Sequence, residues 1–324
     1  MPLRLALLGC SQAPRWARRL QRLDTVTVTA VADDDATAAE SAADQLGAVA
    51  RADSWESLLG DSADVWDAVL VSADRRDAVE AASGALAAGK HTLLERSPLD
   101  AVAIESLTDA ARAATARLMV GGGLRYAASL QAVHQSVASR QIGQPGLLRA
   151  HRWLPTADAE PGVSLQGGQL LEEIDVALWL FGQLPTHVLA SGAATPETGG
   201  AFVQIHLGFP DQGMALLDYD VLTQGAGYFS LSLIGSQGAA YADDHHNTQL
   251  LFRGGAPAGL TTAGGGCGRL GQLQEFATAI SQQRDPDSTA QQAGSAVNVH
   301  RAARASLDAG QAFQWTGQAY ESCG

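Results

Sequence analysis

The sequence has little cysteine, little positive charge and no long apolar run, and each shortage excludes something. Its three cysteines, Cys10, Cys267 and Cys323, show no CxxC spacing and support no disulfide framework, so a reducing compartment is expected. Lys and Arg number 21 against 34 Asp and Glu, a net charge of −13. That excludes a general binder of nucleic-acid phosphates or of an anionic membrane surface, although a local pocket can still oppose the global sign. The apolar runs Leu3–Leu8 and Ala68–Val71 fall far short of the ~20 residues that cross a bilayer. The amino terminus enters a strand-like run without the charged, apolar and cleavage regions of a signal peptide, and the expected location is cytoplasmic. Nucleophile-elbow (G-x-S-x-G), P-loop and zinc-ligand spacings are missing, as is any repeat of fixed period. No metal is therefore expected, and the expected partner is a small molecule.

What is present is ordinary for a globular α/β protein: 46% apolar residues in 324, a length that suggests two domains. The first half alternates short β-rich runs with helical patterns. Strands are predicted at Leu3–Leu8, Val26–Ala32, from Val49, at 68–72, at 92–94 and at Leu118–Val120. Between them lie a helix carrying Arg15, Arg18, Arg19 and Arg22, an Ala-rich helix stopping at Gly47, one opened by Ser54 and Glu56, and helices at 78–88 and 101–116. Such alternation specifies parallel βαβ units in a doubly wound sheet, which binds ligands beyond the carboxyl ends of its strands. This Rossmann-like α/β domain is assigned to residues 1–123. Residues 124–324 read as an α+β domain with an open, mainly antiparallel sheet. Its strands are expected at 147–153, 187–191, 201–209, 214–221, 228–234 and 249–252, and its helices at 129–139, 169–181, 270–282 and Ala290–Ala309. A turn is expected at Pro210-Asp211-Gln212-Gly213 and a loop at 254–268.

The first strand leads into Gly9-Cys10-Ser11-Gln12-Ala13-Pro14. A dinucleotide turn usually reads GxGxxG, so that backbone N–H groups can approach a pyrophosphate. Only Gly9 is kept; Ser11 and Pro14 stand at the other two glycine positions. Asp33 ends the second strand, where a carboxylate hydrogen-bonds a ribose 2′-hydroxyl and repels a 2′-phosphate, favouring NAD over NADP. Two readings stand side by side: a dinucleotide turn using Gly9, Ser11, Gln12 and Asp33, or an ordinary strand-to-helix turn, binding no cofactor, with Asp33, Asp34 and Asp35 capping the next helix.

Several segments carry a resemblance. Val69-Leu70-Val71-Ser72, Ala88-Gly89-Lys90-His91-Thr92-Leu93-Leu94-Glu95, Met119-Val120-Gly121-Gly122-Gly123-Leu124-Arg125-Tyr126, Ile142-Gly143, Ile234-Gly235-Ser236-Gln237-Gly238 and Phe276 resemble the Gfo/Idh/MocA oxidoreductases along nearly the whole chain. The resemblance implies an NAD(P)-dependent dehydrogenase acting on a sugar- or polyol-like alcohol or carbonyl. It also implies homo-oligomerisation through the second domain's sheet, and cofactor contacts from Ser72, Ala73 and Glu95.

Three departures from the family pattern matter. The Ser/Thr-Pro-Asn run becomes Ala73-Asp74-Arg75-Arg76, with Ala78 at a common His position. The Glu-Lys-Pro motif becomes Glu95-Arg96-Ser97-Pro98; Arg96 keeps the charge and can orient substrate, but is a poor proton donor. The Asp, His, Asp helix becomes Gly168, Glu172 and Asp175. Glu172 and Asp175 lie one turn apart on one face, so Glu172 is a candidate proton carrier and Asp175 its catalytic neighbour, or both are a polar helix face. Arg125 and His151 are candidate substrate contacts. Asp243-Asp244-His245-His246 reads as a solvated loop, His187 and His206 as strand histidines, and Trp153, Trp179 and Trp315 as core or interface. The rival to an enzyme is a relative that keeps the fold as a ligand-binding or scaffolding protein.

Overall fold

The computed structural model describes residues 1–11, 13–20, 23–72, 76–95, 101–155, 168–195, 200–223, 227–243, 248–253, 258–259 and 268–323. The chain divides into two compact units. One comprises Met1–Gly123 with Cys267–Gly294, the other Leu124–Gly266 with Ser295–Gly324. A division into 1–123 and 124–324 thus misses a return of the chain to the first unit.

In the first unit, β1 (Leu3–Leu8), β2 (Val26–Ala32), β3 (Ala50–Ala52), β4 (Ala68–Val71), β5 (His91–Leu94) and β6 (Leu118–Val120) form one sheet in the order β3-β2-β1-β4-β5-β6. Every pairing in it is parallel. The order reverses between β1 and β4, the switch point beside which such sheets hold ligands. β4 is buried at all four positions, as an unbroken Ala-Val-Leu-Val run in a covered parallel sheet should be. The connecting helices are α1 (Ala13–Leu20), α2 (Ala36–Leu46), α3 (Trp55–Asp61), α4 (Ala78–Ala87) and α5 (Ala101–Ala113). Asp35 caps α2, accepting from the N–H of Thr37 and Ala38, and Ser54 caps α3 through the N–H of Ser57.

The second unit holds α6 (Ala128–Ala138), β7 (Pro145–Pro155), α7 (Gly168–Phe181), β8 (His187–Thr195), β9 (Gly200–Gly208), β10 (Met214–Thr223), β11 (Tyr228–Gly235), β12 (Gly238–Asp243), β13 (Thr248–Phe252) and β14 (Ala258–Gly259). After α8 (Gly268–Ser281) and α9 (Ala290–Ala309), β15 (Phe313–Trp315) and β16 (Tyr320–Ser322) complete its sheet. The ten strands run β14-β13-β12-β11-β7-β10-β9-β8-β15-β16. They are antiparallel apart from the β7–β10 pair. Four of these strands, β12, β14, β15 and β16, are not expected from the sequence; β14 falls inside the expected 254–268 loop. Alternation sends Leu148 and Ala150 of β7 into the core with Ile205, Leu217 and Leu231, and turns Leu147, Arg149, His151 and Trp153 to the other face.

Candidate functional site

Gly9 adopts φ 89°, a left-handed conformation that a side chain would strain, and its N–H donates to Ala32 O across the strand ends. The next N–H, of Cys10, donates to Asp33 Oδ2 at 2.6 Å, while Oδ1 accepts from the Asp35 N–H. The cap of α2 is therefore Asp35, and Asp33 is the residue that ties the turn to the end of β2. Each carboxylate oxygen has a second lone pair, so these bonds leave Asp33 acceptor capacity for a ribose hydroxyl. The N–H groups of Gly9, Cys10 and Ala13 are engaged within the fold, the last with Cys10 O, and Pro14 has none.

At the carboxyl ends of β4 and β5 the buried Ser72 donates through Oγ to Glu95 Oε2 at 3.3 Å. Oε1 of Glu95 accepts from Arg269 Nη1 at 2.8 Å. Arg269, in the first turn of α8, was not anticipated from the sequence, and it also lies 5.9 Å from the centroid of the Trp16 ring of α1. The returning segment is anchored at the end of β6. Gln272 Nε2 donates to Gly121 O and Ser288 Oγ to Val120 O. A Cβ on Gly123 would come within 2.7 Å of the Arg269 backbone nitrogen, which is why the triple-glycine run ends there. The separation of 174 residues between Arg269 and Glu95 hides this contact from any local pattern.

In the second unit α7 carries three carboxylates. Asp175 is held by Arg125 through two bonds, Nε–Oδ2 at 2.5 Å and Nη2–Oδ1 at 2.6 Å, with both side chains almost wholly buried. The Arg125 guanidinium faces the Trp179 ring, which stacks on His134 at 3.8 Å between centroids. The buried Glu173 pairs with Arg152 of β7. Glu172, less buried, accepts the Leu124 N–H on Oε2 at 3.0 Å. Arg125 and Asp175 thus meet each other, with the geometry of a structural clamp. His151 Nδ1 contacts Asp218 Oδ2 at 2.8 Å on the sheet face away from the core, and Asp218 Oδ1 accepts from Gln204, whose Oε1 meets His206 Nε2.

Expected residues Gln12, Ala73 and Arg96 lie outside the described residues, as do Asp74, Arg75, Ser97, Pro98, Asp244, His245, His246 and Cys267. Arg76 is exposed ahead of α4. Asp243 corrects the expectation of a solvated loop: it is the buried last residue of β12, accepting from the Tyr241 phenol at 2.6 Å and the Tyr228 phenol at 3.3 Å. Burial, then the Asp243 contact, pushes the Tyr241 phenol above its ordinary range. Lys90 is the only lysine in the chain. It bonds Ala63 O and Trp66 O at the amino ends of β4 and β5, away from the ligand edge. Among the described residues no cluster of His, Cys, Asp or Glu could hold a metal ion, and no helix is long and apolar enough to cross a membrane.

The family model described as "Oxidoreductase family, NAD-binding Rossmann fold", that of Gfo/Idh/MocA proteins, matches residues 3–122. Over these residues the chain is similar to that family. Its fold is that of several solved structures over nearly the whole length. An oxidoreductase from Agrobacterium radiobacter in complex with NAD+, L-tartaric acid and magnesium is 16% identical, with a TM-score of 0.80 covering 97% of this chain and 98% of that one. An aldose-aldose oxidoreductase from Caulobacter crescentus complexed with glycerol is 17% identical, with a TM-score of 0.82 covering 97% and 100%. A myo-inositol 2-dehydrogenase from Lactobacillus plantarum is 19% identical, with a TM-score of 0.78 covering 97% and 99%. No curated protein matches the sequence. The residues of the Gly9 turn fit a dinucleotide of this Gfo/Idh/MocA kind in part. The left-handed glycine and the Asp33 carboxylate at the end of β2 suit one, while the N–H groups of Gly9, Cys10 and Ala13 are already engaged.

Proposed function

We propose that this protein is an NAD(H)-linked oxidoreductase acting on a sugar- or polyol-like alcohol or its carbonyl. The observation that carries the reading is Asp33. Asp35 performs the helix-capping role, so Asp33 stands at the end of β2 beside the Gly9 turn, where its charge favours a ribose diol and opposes a 2′-phosphate. NAD is accordingly the cofactor rather than NADP. When bound, NAD supplies the hydride acceptor, or NADH the donor. Gly9 and Ser11 shape the turn that receives the diphosphate, with Ser72 and Glu95 at the neighbouring strand ends.

Glu172 takes the proton of the substrate hydroxyl at its carboxylate, the place a histidine holds in the family pattern, with the Leu124 N–H fixing one oxygen. Asp175 and Arg125 act as the clamp that sets the pitch of α7 beneath it. No lysine stands near the ligand edge to do this work, since Lys90 is engaged at the amino ends of the strands. His151 supports the sheet through Asp218 instead of holding substrate.

The chain also forms a homo-oligomer through the outward face of its second sheet. Among the described residues, six of the nine exposed large apolar side chains, Trp153, Leu189, Phe202, Met214, Ile234 and Phe252, share that face by strand register. Monomers rarely leave so much apolar surface in one patch.

The test is titration of the purified protein with NADH and NADPH by nicotinamide fluorescence, followed by reduction of NAD+ over a panel of polyols and aldoses. Binding of NADH in preference to NADPH is expected. A protein that ignores NADH at about 1 mM, the upper end of ordinary enzyme affinities, is a non-catalytic relative and the reading falls. Glu172→Gln is expected to abolish turnover while leaving NADH affinity unchanged.

A further inference from the structure

The N–H groups of Gly9, Cys10 and Ala13 are engaged within the fold and Pro14 lacks one, and one side chain at the same edge has donors to give. Arg269 reaches this edge from α8. One of its N–H groups meets Glu95 Oε1 and its guanidinium plane lies near the Trp16 ring. Its side chain is 39% exposed. A guanidinium has five N–H donors in a fixed fork, so a single bond to Glu95 leaves Nε and Nη2 available. Trp16 is the fourth residue of α1 and Glu95 directly follows β5. Arg269 therefore lies between the helix that follows the turn and the strand across the switch point. Its backbone is fixed there by the close approach of Gly123.

We propose that Arg269 is a cofactor-binding residue that supplies the diphosphate of the dinucleotide with charge-assisted hydrogen bonds. This rests on the NAD(H) reading above. Glu95 holds the guanidinium in place through one nitrogen, and the Trp16 ring lies 5.9 Å from it. The net charge of −13 would otherwise repel a dianionic ligand, so a local cation at this edge has a clear electrostatic purpose.

The test compares ligands that share or lack the diphosphate. NADH is titrated directly; ADP and adenosine are measured by its displacement. Arg269→Gln is expected to weaken NADH and ADP by a similar factor, about ten- to hundred-fold for a lost charge-assisted contact, and to leave adenosine unchanged. Arg269→Lys keeps the charge, is the safer variant for folding, and restores part of the ADP affinity. The salt dependence of ADP binding becomes shallower in Arg269→Gln, because a charged contact is gone. Glu95→Gln holds or tightens ADP. Equal ADP affinity in wild type, Arg269→Gln and Arg269→Lys overturns the proposal alone and leaves the NAD(H) reading standing. So does a loss of ADP binding in Glu95→Gln as large as that in Arg269→Gln, which would make Arg269 a prop for Glu95. A wild-type protein that binds neither NADH nor ADP overturns both.

Discussion

Arginine–carboxylate pairs lie next to the candidate site in each unit, and two of them, Arg125–Asp175 and Arg269–Glu95, are built differently. Arg125 and Asp175 are 4% and 8% exposed and share two bonds. Arg269 and Glu95 are 39% and 11% exposed and share one. A buried fork-to-fork pair has its charges satisfied by each other, so removing either partner strands an ion in the interior. A pair whose arginine is partly exposed and gives one bond keeps donors in reserve, and water screens that arginine. The same two residue types thus make a scaffold in one place and a ligand contact in the other, and burial decides which.

The comparison can be broken at its strong end first. Arg125→Ala is expected to destabilise the second unit by about 3–5 kcal/mol, the usual result of orphaning a buried charge, measured by denaturant unfolding. Replacing Arg125 and Asp175 together with apolar residues of similar size should recover most of that loss. If the single variant is as stable as wild type, the pair is no structural clamp and the substrate-contact reading of Arg125 returns. Asp33→Ala comes next. It should raise the NADH dissociation constant about tenfold, close to one charge-assisted hydrogen bond, and narrow the preference over NADPH; an unchanged ratio would remove Asp33 from cofactor choice. Glu95→Gln should alter the stability of the first unit by only about 1 kcal/mol, the mild counterpart of Arg125→Ala.

The smallest effect is a pH dependence at the opposite end of the first sheet. His91 Nδ1 accepts the Arg117 N–H at 2.8 Å. Burial, with the Arg117 charge second, holds the imidazole below its ordinary value. Because the folded value is the lower one, this contribution to stability is complete above the unfolded value near pH 6.5 and is lost as pH falls below it. Unfolding midpoints measured from about pH 8 down to about pH 5 should decline through that window, and His91→Gln should flatten the decline. Asp67, drawn below its ordinary value by the Arg4 hydrogen bond, loses its smaller share only at more acid pH, below about 4.

Much of the first unit was legible because its strands are unbroken apolar runs between capped helices: Ala68–Val71 is buried throughout, and only a covered parallel sheet needs such a run. Asp33 was legible for the same reason, since its position follows from where β2 must end. The weak strands were not. Gly238–Asp243 reads Gly-Ala-Ala-Tyr-Ala-Asp, with little β-branching and no clean alternation, and is a strand because β11 and β13 flank it. Phe313–Trp315 and Tyr320–Ser322 have three residues each, too few to carry a period. Within the candidate site the residue types were legible and their partners were not. Arg125 was marked as a substrate contact because sequence gives no sign of Asp175 lying opposite it, and Arg269 passed unnoticed because its carboxylate is 174 residues away.

The return of residues 267–294 to the first unit sets an order of events during synthesis. Chains are made from the amino terminus at about 5–20 residues per second, and domains tend to fold as they emerge. The six strands of the first sheet are all available by Val120, yet the carbonyls of Val120 and Gly121 wait for Ser288 and Gln272. The whole second sheet as far as β14 is translated in the interval. A fragment ending near residue 123 would therefore be an unfinished Rossmann unit, lacking Arg269 and the helix that seals its last strand, and the two units alternate along the chain, the second resuming at Ser295 only after the first is complete.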